Sequence, residues 1–192
     1  MPRLFISLEV PRRIATGFSM LKGGLPGSRW VDAENYHVTL RFIGDIDARQ
    51  ADDLADALDH ISAPPLTLVT RGLSVFGSKK PHALIALVEP QPDLIALHAD
   101  MERLCQRLGL PADGRRFIPH ITIARLKNTT PDEAAFYLSQ RGLVAVPEFT
   151  ATRFVLMSSR DSVGGGPYAI EAAYPLVEVP ATGMSQNRNV IL

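Results

Sequence analysis

The chain has one cysteine, Cys105, in 192 residues, so no intrachain disulfide can form and a secreted, cross-linked scaffold is excluded. Neither sign of charge dominates: 20 Lys and Arg stand against 20 Asp and Glu, for a formal net charge of zero. Coating long RNA or DNA through its phosphates needs a surplus of cations, so that mode is excluded, while a small phosphate site is not. No apolar run approaches the roughly 20 residues that cross a bilayer. The opening MPRLFISLEVPRR returns to charge too soon for a secretory signal. These shortages predict a soluble cytoplasmic protein with no membrane partner.

What is present suits a single folded domain. A hydrophobic fraction of 46% is too high for a disordered chain, and the length allows a sizeable core. Strand-like and helix-like patterns alternate. Leu4 to Val10 reads as a strand, and Ile14, Phe18 and Leu21 follow at helical spacing up to Gly23-Gly24. Tyr36 to Ile43 is a second strand. Asp47 with Gln50 three residues on has the form of a capping box before a helix carrying Leu54, Leu58 and Ile61. Leu66 to Phe76 and His82 to Val88 read as strands joined near Gly77-Ser78. Pro92 opens a helix bounded by Gly109. Pro119 to Leu126 is a strand, and Thr130 with Glu133 is a second capping box for a helix ending near Gly142. Phe149 to Ser159 and Tyr168 to Val177 form a hairpin across Gly164-Gly165-Gly166. The order of elements in residues 4–61 is echoed in 82–142, which predicts an α+β fold of two pseudo-symmetric lobes. The domain is expected to span residues 1–180, with 181–192 as a loose tail.

The echo is sharpest in two short strings, YHVTLRF with His37 and Thr39, and PHITIAR with His120 and Thr122, 83 residues apart. On a strand, positions i and i+2 share a face. Simple alternation puts His37, Thr39 and Arg41 on one face with Val38, Leu40 and Phe42 opposite. Two neutral imidazoles facing one cleft suit acid–base chemistry, because histidine alone titrates near neutral pH unperturbed, at about 6.5. The threonine hydroxyls can donate to a non-bridging phosphoryl oxygen. No nucleophilic Ser or Cys is required, and no His, Cys and carboxylate spacing has the form of a zinc site.

These motifs resemble those of the 2H phosphoesterases, and most closely the RNA 2′,3′-cyclic phosphodiesterases, also called 2′-5′ RNA ligases. The likeness extends along nearly the whole chain, through FISLEVP, WVDAENYHVTLRFIGD, FIPHITIAR and SSRDSVGGGPYAIEAAYPL. It implies two lobes, each an antiparallel sheet with outer helices, enclosing a central groove. It also implies metal-independent opening of a 2′,3′-cyclic phosphate at an RNA end to a 2′-phosphate, with reversible 2′-5′ joining of tRNA halves and no cofactor; a small groove with one chain per site makes a monomer the expected state. The catalytic positions implied are His37 and His120, as general acid and general base respectively or with the roles exchanged, with Thr39 and Thr122 as phosphate ligands. Arg125 matches the family's arginine after the second motif, but strict alternation turns it away from His120, so a bulge or a long reach is needed to bring it in. The sequence departs from the family in two places. HALIALVE lacks a tryptophan common there, and Tyr174 replaces another.

Arg41, Arg115, Arg116, Phe76 and Tyr168 are further candidates for substrate binding. Arginine suits bidentate phosphate recognition, and an aromatic ring can stack a base of single-stranded RNA. Trp30 can stack too, although core packing is its simpler role, and Lys79 and Lys80 read as solvated turn residues. His60, His82 and His98 read as structural, and Cys105 as a buried, inert thiol. Gly164-Gly165-Gly166 lacks a following Lys-Ser or Lys-Thr, so it reads as a turn rather than a phosphate loop. Two other functions are compatible with the same motifs. One is phosphodiester chemistry on another cyclic or 2′-5′ nucleotide, such as an ADP-ribose cyclic phosphate or an oligoadenylate. The other is a groove that binds nucleotides without turnover.

Overall fold

A computed structural model of the chain describes residues 3–144, 146–159 and 166–177. The expected tail over 181–192 and the first two glycines of the hairpin turn lie outside the described residues. Among the described residues, ten strands and four α-helices alternate: β1 Arg3–Glu9, α1 Arg12–Ser19, β2 Ser28–Trp30, β3 His37–Gly44, α2 Ala48–Leu58, β4 Leu66–Leu68, β5 Thr70–Phe76, β6 Ala83–Val88, α3 Pro92–Arg107, β7 His120–Leu126, α4 Pro131–Arg141, β8 Phe149–Ala151, β9 Arg153–Ser159 and β10 Tyr168–Pro175. A short 3₁₀ turn, Ala33–Asn35, leads into β3.

The helices stop and start where local chemistry dictates. The Asp47 carboxylate accepts from the Gln50 backbone N–H at the start of α2. Thr130 and Glu133 form the complete reciprocal box at the start of α4. At the end of α3, Gly109 takes a φ of 78°. The Gly109 N–H then donates to the Gln106 carbonyl and the Leu110 N–H to the Cys105 carbonyl, a two-bond left-handed cap that needs a residue without a Cβ penalty.

The main sheet has eight strands in the order β10-β9-β1-β3-β7-β6-β5, with β2 also paired to β7. Its halves are the two expected lobes. β1, β3, β9 and β10 make one, while β5, β6, β7 and β2 make the other, all antiparallel. The lobes meet where β3 pairs with β7 at a single register position, Val38 opposite Ile121. Each of these residues follows a motif histidine, so the seam runs between the two motifs. The segments read as single strands over 66–76 and 149–159 are each broken once, at Val69 and Thr152. The freed pieces, β4 and β8, pair with each other as a separate two-stranded ribbon.

One face of the sheet is covered by helices. Ile6, Leu8, Val38, Leu40, Ile121 and Ile123 pack there with Ile14 and Phe18 of α1, Leu54 and Leu58 of α2, and Leu94, Leu97, Met101 and Leu104 of α3 in one continuous core. The opposite face carries the polar side of both motif strands. Among the described residues, no helix is long and apolar enough to cross a membrane.

Leu54 is fully buried, so Leu54→Ala should cost about 2–5 kcal/mol, lost transfer energy plus an unfilled cavity. Thr130→Ala removes only an exposed cap and should cost about 1 kcal/mol. Urea unfolding measures both, and a larger loss at Thr130 than at Leu54 would contradict this account of where stability resides.

Candidate active site

The two histidines are held in the same way. The Nδ1 of His37 lies 2.7 Å from the Asn35 carbonyl, and that of His120 lies 2.6 Å from the Ile118 carbonyl, each two residues upstream. A carbonyl only accepts, so in both rings Nδ1 carries the hydrogen and Nε2 is left to meet a ligand. His37 is backed by Phe5, with ring centroids 5.0 Å apart, and by Tyr168 edge-on at 5.2 Å. His120 meets Phe76 edge-on at 4.8 Å. The aromatic packing orients both rings and shields one side of each from water.

Desolvation controls their protonation. Burial pushes the His37 imidazole down to about 4, with further lowering from the charges of His120 and Arg125, against the opposing pull of the Asn35 carbonyl. His120 is lowered as well, mainly by burial and then by the Arg125 charge, with the Ile118 carbonyl opposing. In the free protein both rings are therefore neutral at pH 7, as acid–base exchange between a bound anion's oxygens requires of at least one of them.

A matching irregularity shapes both motif strands. Along β1 and β3, Ile6 pairs with Arg41 and Ser7 with Thr39, so β3 has one extra residue at Leu40. Along β6 and β7, Leu84 pairs with Ala124 and Ile85 with Thr122, so β7 has one extra residue at Ile123. Each bulge falls three residues after its histidine and reverses the alternation beyond it. In β7 this turns Arg125 onto the face of His120 and Thr122, supplying the geometry that strict alternation denied it. Its Nε is buried, with no hydrogen-bond partner among the described residues.

In β3 the same bulge corrects the expectation for Arg41. Alternation put Arg41 beside His37 and Thr39. Instead it is only 6% exposed, and its guanidinium is 2.6 Å from the Glu102 carboxylate and 3.8 Å from that of Asp113. It also donates to the Phe42 and Pro111 carbonyls. Committed to these partners, it serves as an internal strut at the wall of a second cavity rather than standing beside His37 and Thr39. Phe42, expected on the core face, is the residue turned outward, 44% exposed. It stands where Arg125 stands in the other lobe.

These groups line one cavity of about 630 Å³ with Arg3, Phe5, His37, Thr39, Phe42, Phe76, His82, Arg115, His120, Thr122, Arg125, Leu126, Ser159 and Tyr168 on its walls. A second cavity of about 390 Å³ adjoins it and shares Thr39, Phe42, Phe76, His82, Arg115 and His120. Arg116, Phe117, Ile118 and His98 line its far side. All four motif side chains, Arg125, Phe76, Tyr168 and Arg115 are thus brought together, and Arg116 flanks them. Trp30 packs near Tyr137 instead, at 6.2 Å, against the core.

Sequence reasoning missed three groove residues. Phe42 was hidden by the bulge. His82, read as structural, is exposed and stacked on Phe76 at 6.3 Å. His98 donates from Nδ1 to the Leu40 carbonyl at 2.8 Å and lies flat on Phe117 at 3.9 Å, so it supports the second cavity's wall. Asn35 is a supporting residue that the flanking string contained. It is buried, its carbonyl holds His37, and its side-chain oxygen accepts from the Tyr168 N–H at 3.2 Å. Gly166, at a φ of 89°, lies so close that a Cβ there would be 2.5 Å from the Asn35 amide nitrogen. Among the described residues, no three or more His, Cys, Asp or Glu side chains cluster in a way that could hold a metal ion.

A family model described as LigT like Phosphoesterase matches twice, over residues 5–86 and 85–168, one match for each half of the repeat. An RNA 2′,3′-cyclic phosphodiesterase of Geobacillus stearothermophilus is 30% identical over 184 residues, covering 92% of this chain and 58% of that protein. The chain thus spans somewhat over half the length of that relative. An RNA 2′,3′-cyclic phosphodiesterase of Aquifex aeolicus is 31% identical over 147 residues, covering 74% of this chain and 78% of its own. Among solved structures, a Thermus thermophilus protein superposes with a TM-score of 0.75 at 22% identity, covering 91% of this chain and 97% of its own. Escherichia coli LigT complexed with 3′-AMP gives 0.71 at 23% identity, covering 93% and 100%. With both halves matched across the two histidine motifs, the chain belongs to the LigT-like phosphoesterase family of 2H phosphoesterases.

Proposed function

We propose that the groove opens the 2′,3′-cyclic phosphate at an RNA end to a 2′-phosphate. The observation that carries this reading is the matched pair of histidines, each tied through Nδ1 to the carbonyl two residues upstream. Each has a threonine on its own face, and Arg125 is the cation left without a protein partner for its Nε among the described residues. The names of the curated relatives support the same substrate class.

The cyclic phosphate would sit between the two rings, its non-bridging oxygens held by Thr39, Thr122 and Arg125. His120 takes a proton from water through Nε2 as the water oxygen bonds to phosphorus. The bond from phosphorus to the 3′-oxygen breaks in line, and that oxygen takes the proton on Nε2 of His37. The products are a 2′-phosphate and a 3′-hydroxyl. The depressed pKa makes protonated His37 the stronger acid of the pair, which suits departure of an alkoxide. The bound anion offsets the desolvation that otherwise keeps His37 neutral. If a 5′-hydroxyl replaces water, the same steps give a reversible 2′-5′ linkage, with tRNA halves as candidate partners. One chain carries both motifs, so a monomer suffices, and the single cysteine suits the cytoplasm.

A cyclic-phosphate-ended oligonucleotide should be converted to the 2′-phosphate in the presence of EDTA. His37→Ala and His120→Ala should each lower kcat by about 10²–10⁴-fold without changing the circular dichroism spectrum. Normal turnover by a folded His37→Ala protein would sink the mechanism. A 3′-phosphate product would favour the other phosphodiester chemistries, and binding without turnover would favour the non-catalytic groove.

The pH profile tests the electrostatics. Both imidazoles of the free enzyme are lowered, and turnover needs one protonated and one neutral. The kcat/KM maximum should therefore lie below the ordinary imidazole value of about 6.5. The kcat maximum should lie higher, because a bound anion favours the protonated rings. Arg125→Ala removes a cation that lowers both groups, so it should move the kcat/KM maximum upward while weakening substrate binding. A downward move would contradict the assignment.

A further inference from the structure

Arg115 is set on the groove rim by a chain of contacts that begins inside the protein. Arg41 is anchored beside the first motif by Glu102 at 2.6 Å. Glu102 also accepts from the Asp113 backbone N–H at 3.0 Å, and the Asp113 carboxylate lies 3.8 Å from Arg41. Asp113 in turn accepts from Arg115 three times, from the backbone N–H at 3.2 Å and, as a fork, from Nε at 2.8 Å and Nη2 at 2.7 Å. This fork fixes the plane of the guanidinium, and the pairing keeps Asp113 ionised, its carboxyl held down to about 2 chiefly by the Arg115 hydrogen bonds.

The guanidinium carbon then lies 5.3 Å from the centroid of the Phe42 ring. One face of Arg115 is therefore covered and one edge is used. Its Nη1 has no partner among the described residues. The residue lines both cavities while its side chain is 70% exposed. Arg41, Arg115 and Arg116 against Glu102 and Asp113 leave this cluster one positive charge.

The reaction at the histidines does not account for such a device. The terminal phosphate has Thr39, Thr122 and Arg125. A long flexible arginine is held by a bidentate carboxylate and an aromatic face when its direction matters, because those contacts remove the rotamer freedom that binding would otherwise cost. A free guanidinium edge suits an oxyanion rather than a flat base, and the adjoining cavity of about 390 Å³ leaves room for the nucleoside between two phosphates. Resting on the cyclic-phosphodiesterase reading, we propose that Arg115 binds the internal phosphodiester next to the reacting end, so that the groove selects oligonucleotide ends over mononucleotides. Arg41 and Asp113 are its positioning residues.

The test is equilibrium binding of a fluorescent tetraribonucleotide ending in a 2′-phosphate, with a nucleoside 2′-phosphate as the short competitor, over a range of salt concentrations. Arg115→Ala should weaken the tetranucleotide about tenfold and the mononucleotide several-fold less. It should also flatten the slope of log K against log salt by about 0.7, the signature of one lost contact to a single-stranded phosphate. Arg115→Lys keeps the charge and should restore most of that slope while recovering only part of the affinity. Equal losses on both ligands, or a loss with the salt slope unchanged, would overturn the proposal and point to stacking or structure instead. Both outcomes leave the cyclic-phosphodiesterase reading standing. A wild-type protein that neither binds these ligands nor opens a cyclic phosphate would overturn that reading, and this proposal with it.

Discussion

The extra residue in each motif strand is the constraint on which the site depends. A regular β-strand would place every second side chain on one face, and the groove would receive His, Thr and the residue two further on. The bulges at Leu40 and Ile123 replace that third residue with the one after it. In the second lobe this exchanges Ala124 for Arg125. In the first it exchanges Arg41 for Phe42. Without the bulges, Arg41 would face the groove and Arg125 the helices, so the arginine beside the histidines would come from the first lobe rather than the second.

The bulges also determine how charge is distributed. A guanidinium turned toward the helix side must be matched or its burial is costly. Arg41 is matched by Glu102 and Asp113, contributed by α3 and by the segment that follows it. Those carboxylates neutralise the arginine that the bulge drove inward, so the first lobe adds little positive potential at its histidine. The groove is left with few unmatched cations beside two neutral rings. The overall charge of zero is thus compatible with anion recognition, because the attraction is local. Uniform basicity would hold RNA anywhere along its backbone, whereas a few directed donors hold only an end that fits.

Much of this was legible in the chain. The repeat, both capping sites and the two His-x-Thr strands follow from periodicity and turn chemistry, because local residues decide them, while the antiparallel pairing within each lobe came from the family resemblance. The positions of Arg41, Phe42 and Arg125 do not. A bulge leaves no compulsory mark in the sequence of its own strand, since it depends on how the neighbouring strand registers, and HVTLRF alternates as cleanly on paper as a flat strand would. The breaks at Val69 and Thr152 were hidden for a related reason. Each lies in a strand-like run with no Pro at the break, whose two halves pair with different partners. The short β2 was missed because three residues give no period, and it owes its existence to the free edge of β7. The groove position of His82 was hidden by its place at a strand start, where nothing local reveals that Phe76 will stack on it.

The repeat explains why the fold can be symmetric while its chemistry is not. Backbone features that set the two rings are shared: the upstream carbonyl, the bulge, and the seam pair Val38 and Ile121. The residues that differ between the copies lie just beyond the bulge, an aromatic ring in one lobe and a guanidinium in the other. A phosphodiester end is itself unsymmetrical, with an anion on one side and a nucleoside on the other. A groove with identical lobes would accept it in either direction and could not assign one histidine to the attacking oxygen and the other to the departing one. On the proposed mechanism, Arg125 opposite Phe42 on an otherwise common frame would give the bound end a direction. In that mechanism the direction acts together with the lower pKa of His37 to separate the roles of His37 and His120.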